Sequence, residues 1–183
     1  KAELGTLGMG KADFKVDLRQ RLSSVGKPVC SQYGYDQVEF LISPNEGETL
    51  RSLKEIASGG ELSRVMLAVK TILAETDRIG SLIFDEIDVG IGGEVAVTVA
   101  DHLARLGSGK QVLCITHLAS IAVRADNHLQ VSKESRDGRT TTRIASIEGA
   151  ERVREIARML AGDAKGDVSL GYAEDLLRTY GKA

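Results

Sequence analysis

Residues 81–93 read SLIFDEIDVGIGG. The apolar run 81–84 is short and unbroken and stops at Asp85-Glu86, the pattern of a strand buried on both faces of a parallel sheet. Ligand sites of parallel sheets lie at the carboxyl ends of their strands, where these two acids emerge. An Asp there suits a magnesium shell, because that ion keeps its waters and takes one or two carboxylates. A neighbouring Glu can take a proton from an attacking water. The alternative reading is two solvated acids at the start of a loop. Gly90, Gly92 and Gly93 form that loop, and they are no dinucleotide fingerprint, since the third glycine is missing and the preceding site is acidic.

Working outward, residues 94–106 suit a helix with Ala96, Val99, Leu103 and Leu106 on one face, and 111–116 (QVLCIT) read as a second buried strand. Strand, helix and strand in that order imply a right-handed parallel crossover. Thr116-His117 leaves the second strand as Asp85-Glu86 leaves the first. An imidazole there either reaches a phosphate or an attacking water, or merely pins its own loop. His102 and His128 have no acidic or Cys partners at metal spacing and read as structural. On the upstream side, Ser58-Gly59-Gly60-Glu61 opens an amphipathic helix in which Leu62, Val65, Met66, Val69, Ile72 and Leu73 fall at helical spacing. Two glycines let backbone N–H groups approach an anion, and a helix N-terminus adds about 0.3–1 kcal/mol per anion at an exposed site. Ser58 either bonds a phosphate oxygen or caps the helix, with Glu61 completing a capping box.

The flanks are richer in β pattern. Residues 11–18 alternate with Phe14, Val16 and Leu18 on one face, and 37–43 repeat this with Val38, Phe40 and Ile42, so the opening third predicts a half-buried antiparallel sheet. Strands at 128–132 and 139–147 flank Asp137-Gly138, a hairpin signal. A helix over 150–161 should turn Val153, Ile156 and Leu160 inward and stop at Gly162, and a last helix covers 169–180. The Gly-rich stretch from Leu4 to Gly10 predicts a linker. Gly5 to Lys11 matches G-x-x-x-x-G-K, but Ala12 stands where a phosphate loop needs Ser or Thr, and a strand pattern follows where a helix should.

The composition narrows the classes further. The chain has 183 residues, 42% of them apolar and 27% charged, with a net charge of -2. That suits a folded globular chain and excludes a polycation that coats nucleic acid. Aromatics at 4% with no Trp argue against stacking platforms for single strands. Cys30 and Cys114 make no disulfide framework, and no apolar run approaches the ~20 residues of a membrane helix, so a cytoplasmic location is expected.

Taken together, the motifs resemble the C-terminal lobe of an ABC-type ATPase head of the SMC kind. The longer strings "IASGGELSRVMLAVK" (56–70), "LIFDEIDVGIGG" (82–93), "QVLCITHLASIA" (111–122), "EIARMLAG" (155–162) and "VEFLISPNEGE" (38–48) resemble the bacterial RecN family of DNA-repair proteins. The resemblance implies an α/β fold: one lobe of an ABC/SMC-type P-loop ATPase head, a partly parallel sheet flanked by helices, with antiparallel β segments. Residues 1–10 would be the end of a coiled coil or a linker, and 11–183 the lobe. Ser58, Gly59, Gly60 and Glu61 would be the signature motif, which binds nucleotide on a partner head. Asp85 would be the Walker B aspartate, serving Mg through water, and Glu86 the catalytic glutamate. Asp88 would belong to the D-loop, and His117 to the switch loop.

ATP and Mg are the implied cofactors. The implied partners are an N-terminal lobe carrying the phosphate loop, a second head in a homodimer, and DNA, with no membrane, in a nucleoid-associated setting. The expected activity is ATP hydrolysis in double-strand-break repair by recombination, with this chain inactive alone. Two other classes remain: an ATP-gated dimerisation module that barely hydrolyses, and a transporter nucleotide-binding subunit. The transporter class calls for a helical coupling subdomain before the signature, whereas residues 12–43 read as strands.

Overall fold

A computed structural model of the chain describes residues 1–56, 58–136, 139–161 and 166–181. At its centre, β4 (Ser81–Phe84) and β5 (Gln111–Cys114) pair in parallel, Ser81 opposite Gln111 and Phe84 opposite Cys114. They are joined by α3 (Gly93–Gly107), the predicted crossover. Ala96, Val99, Leu103 and Leu106 are all buried on the face of α3 that the spacing predicts. The second strand is shorter than expected, because the chain turns at Ile115 after donating its N–H to Phe84 O at 3.0 Å.

Helix α2 (Gly59–Ile72) is joined to β4 by a loop in which Lys70 Nζ bonds Asp77 Oδ2 at 2.5 Å, while Lys110 Nζ reaches the carbonyls of Asp77 and Ile79 at 2.7 and 2.9 Å. Its buried face is rotated from the predicted one. Val65, Leu67 and Ala68 are in the core, whereas Ile72 and Leu73 are exposed. The amphipathic spacing puts those two inward, but the helix ends at Ile72, with Leu73 as its C-cap.

Residues 1–10 are no loose linker. Ala2–Thr6 form α1, and Leu4, Leu7 and Met9 are buried in the same cluster as Val65, Leu67 and Phe84. Buried His102 joins three elements, its Nε2 lying 3.5 Å from Glu3 and 3.4 Å from Thr6 on α1, and its Nδ1 3.4 Å from Thr71 on α2. The G-x-x-x-x-G-K stretch thus begins in the last residues of a helix and leads toward a strand, with Lys11 exposed.

Strands β1 (Asp13–Gln20) and β2 (Asp36–Ser43) form an antiparallel ribbon in which Phe14, Val16 and Leu18 face Ile42, Phe40 and Val38, with β3 (Arg51–Ser52) added beyond β2. The alternation is as predicted, but β1 starts two residues late, because Ala12 N–H turns back to Met9 O. Only the inner end of the apolar face is covered. Val16, Leu18, Val38 and Phe40 are exposed, because the ribbon extends past the core.

The third part of the chain has its own core. Short α4 (Ala119–Ala122), α5 (Gly149–Ala161) and α6 (Asp167–Tyr180) bury Ala122, Val123, Ile156, Ala157 and Ala173 together. On α5 the predicted Ile156 is buried, but Leu160 is half out and Ala157 takes its place. The hairpin β6 (His128–Arg136) and β7 (Arg139–Ile147) is longer than predicted on its first strand. Asp137-Gly138 and Gly162 lie outside the described residues.

Burial holds the His102 imidazole below its ordinary value near 6.5, with Glu3 opposing. A group whose folded value is depressed stabilises above its unfolded value and loses that contribution as pH falls through the folded one. Stability is therefore expected to drop as pH falls below about 6.5. His128 shares the direction, so His102→Gln should flatten the thermal-melt profile between pH 7 and 5 in part. Leu67→Ala, which empties a fully buried site, should cost about 2–5 kcal/mol in urea unfolding.

Candidate functional site

Ser58 is extended, with φ -92° and ψ 114°, and its hydroxyl accepts the Glu61 N–H at 3.4 Å. Ser58 thus caps the helix. Of the two glycines after it, Gly60 is demanded by close approach of the backbone within this same chain, while Gly59 lies against the movable Glu86 side chain. A β-carbon on Gly60 would lie 2.8 Å from Glu86 O and 3.2 Å from Val89 Cβ, and one on Gly59 would collide with the Glu86 carboxylate. The turn after β4 is thus pressed across the N-terminus of α2, with a carboxylate at the positive end of the helix.

Two side chains of α2 hold that turn. The Ser63 hydroxyl donates to Asp85 O at 2.6 Å, and Arg64 Nη1 donates to Ile87 O at 3.3 Å and Val89 O at 2.9 Å. Burial pulls the Arg64 guanidinium below its ordinary value, with the Glu61 charge opposing. Sequence reasoning passed over both residues. The available signal was an arginine one turn before Leu67 and Ala68, on the stripe that packs inward.

Within the turn, Asp85 Oδ1 accepts the Glu86 N–H at 2.9 Å, and both acids are solvent-exposed. Glu86 adopts φ +56°, a left-handed conformation rare outside glycine. Such backbone strain clusters at functional sites. Asp88 is different: only 3% of it is exposed. Its Oδ2 accepts the Thr116 hydroxyl at 2.5 Å and the His117 N–H at 2.8 Å, and lies 3.0 Å from His117 Nδ1. A carboxylate only accepts, so this partner assigns the proton to Nδ1 and leaves Nε2 on a ring that is 72% exposed. Nearby, burial and the Asp88 and Asp85 charges push the Cys114 thiol up to about 12, which leaves it inert as a nucleophile.

The structure therefore brings Ser58, Gly59, Gly60, Asp85, Glu86, Asp88 and His117 to one end of the parallel sheet. Among the described residues, no group of three or more His, Cys, Asp and Glu side chains could cage a metal. A lone exposed Asp85 fits magnesium all the same, since that ion is held by one or two carboxylates, water and substrate phosphates.

The chain is similar to known proteins in sequence and in fold. The chain is 55% identical over 175 residues to the DNA repair protein RecN of Treponema pallidum, covering 96% of this chain and 30% of that protein. It is 45% identical over 185 residues to the DNA repair protein RecN of Bacillus subtilis, covering 96% and 32%. The chain is a homologue of RecN. It spans about a third of the length of these relatives. No family model matches. Among solved structures, the Smc head domain with a coiled coil and joint from Pyrococcus yayanosii superposes with a TM-score of 0.53 at 19% identity, covering 97% of this chain and 27% of that one. The Smc head domain from Pyrococcus furiosus bound to the C-terminal domain of ScpA gives 0.50 at 21%, covering 80% and 33%. The fold is accordingly like that of part of an Smc head domain, mixed α/β with parallel and antiparallel sheets.

Asp88→Ala would strand the Thr116 and His117 donors. The RecN homologue should lose about 1–3 kcal/mol of unfolding free energy in a denaturant titration. Asp88→Asn, which retains an acceptor, should lose less.

Proposed function

We propose that this chain is the C-terminal lobe of the ATP-hydrolysing head of a RecN-type DNA-repair protein. The observation that supports it most is the turn after β4, which lays Glu86 against the Ser58–Glu61 turn and, through Asp88, bonds the His117 that follows β5. In this reading Glu86 is the general base for the attacking water, and its exposed carboxylate leaves room for substrate. His117 Nε2, an acceptor while the proton sits on Nδ1, orients the attacking water at the transferring phosphoryl, where charge moves in the transition state. Asp85 holds magnesium through water, and the ion supplies neutralising charge on the phosphates. Ser58, Gly59, Gly60 and Glu61 close on ATP carried by a second head, and hydrolysis reopens the pair, coupling ATP to the holding of DNA ends in the bacterial cytoplasm.

The phosphate loop would come from an N-terminal lobe of the same protein. Its place is suggested by a parallel sheet covered on one face only. Ile83 is 71% exposed, Leu113 42% and Ile115 60%, all on the uncovered side. Parallel sheets are stable with both faces covered. The transporter reading calls for a helical subdomain before Ser58, and there the chain carries the β1–β2 ribbon instead. No described helix is long and apolar enough to cross a membrane.

The test is Glu86→Gln in the complete protein. The amide keeps the shape and loses the base, so turnover should fall about 10²–10⁴-fold while ATP binding persists. Light scattering should then find ATP-bound dimers accumulating. Normal turnover would remove Glu86 from the mechanism. The present chain by itself should show no significant ATPase.

A further inference from the structure

We propose that Arg64 is a positioning residue for His117, acting through the turn that carries Asp88. The proposal rests on the reading of this site as an ATPase head. Arg64 is a cation on the helix that begins with the signature-like glycines, and only 7% of it is exposed. Its Nη1 donates to Ile87 O and Val89 O, the two carbonyls that bracket Asp88. Asp88 in turn takes the Thr116 hydroxyl, the His117 N–H and the His117 ring at Nδ1. A continuous series of polar contacts thus runs from α2 through the turn to the imidazole, none of them longer than 3.3 Å.

The chemistry of the residue favours positioning over packing. Burying a guanidinium is costly unless its hydrogen bonds are made. Arg64 Nε has no partner among the described residues. A methionine of similar length would fill the space without that cost, so the sequence carries a charge where stability alone does not call for one. The geometry uses what is particular to arginine. One planar nitrogen presents two N–H groups to two carbonyls, and a lysine ammonium on a shorter reach would not hold both in the same plane. Fixing both neighbours of Asp88 leaves its carboxylate one direction, toward Thr116 and His117. The helix that would meet the partner head's nucleotide is then joined rigidly to the imidazole that would act on this head's own.

The experiment uses the full-length protein with Arg64→Met and Arg64→Lys. Misplacing a catalytic group by about 1 Å can cost 10²-fold. We therefore expect kcat to fall tenfold or more in Arg64→Met, with the KM for ATP within about twofold and a thermal melt near wild type. Arg64→Lys should show the same split with a smaller loss, and it carries the test should Arg64→Met fail to fold. In a His117→Ala background, adding either substitution should lower kcat by less than about twofold, because both act through one group. Hydrogen exchange read by mass spectrometry should show the His117 and Leu118 amides losing protection while α2 keeps its own. Unchanged exchange at His117, or a kcat loss that is fully additive with His117→Ala, would overturn the relay. Normal turnover in His117→Ala would instead defeat the catalytic reading of that histidine, and exchange would still decide whether Arg64 holds it.

Discussion

The buried carboxylate of Asp88 is where two strands that are neighbours in the sheet are tied together at their ends. The β4–β5 pairing ends at Phe84 and Cys114, with one last hydrogen bond from Ile115 N–H to Phe84 O. Beyond that point the chain segments would splay, each free to find its own path over the surface. Asp88 on one segment takes two donors and the ring of His117 from the other. A carboxylate removed from water is costly, and charge-assisted hydrogen bonds offset that cost only when the donors are fixed. The turn and the loop after β5 are therefore each ordered by the other. The turn that carries Glu86 is in this way held against the loop that carries His117.

A second constraint acts on the opposite side of the turn. The glycines at 59 and 60 suit a surface that meets an anion, as does the N-terminus of α2 that they open. In the free chain they also let the Glu86 backbone and side chain lie against the helix. The two demands are compatible because both require the same absence of a side chain. They also place the proposed general base and the nucleotide-facing turn within one packed unit, with Ser63 and Arg64 fastening it.

Much of the apolar surface outside this unit has no cover. The exposed face of β4 and β5 adjoins a cavity of about 220 Å³ lined by Leu62, Met66, Lys70, Leu82 and Phe84 along the free edge of β4. The β1–β2 ribbon likewise projects Val16, Leu18, Val38 and Phe40. The RecN relatives carry about two thirds of their length outside the matched stretch, which suits the N-terminal lobe of the proposed function.

The central crossover was legible from residue order, because short apolar runs that end in Asp85-Glu86 and Thr116-His117 carry their strand pattern locally. The same holds for α3, whose 3.6-residue period placed Ala96, Val99, Leu103 and Leu106 inward as observed. Burial elsewhere was legible only in part: Ile42, Val65 and Ile156 are buried as their spacing suggests. Ile72 and Leu73 continue the period of α2 yet sit in solvent, Val16 and Leu18 alternate as a core strand would yet stay exposed, and Leu4, Leu7 and Met9 are too few to show a period yet are core. Periodicity reports which residues share a face, and only the position of the neighbouring elements decides whether that face is covered. Arg64 shows the limit most sharply. Its partners are carbonyls 23 and 25 residues away along the chain, and a backbone carbonyl has no signature in sequence, so the fold alone brings that cation to the turn that aims His117.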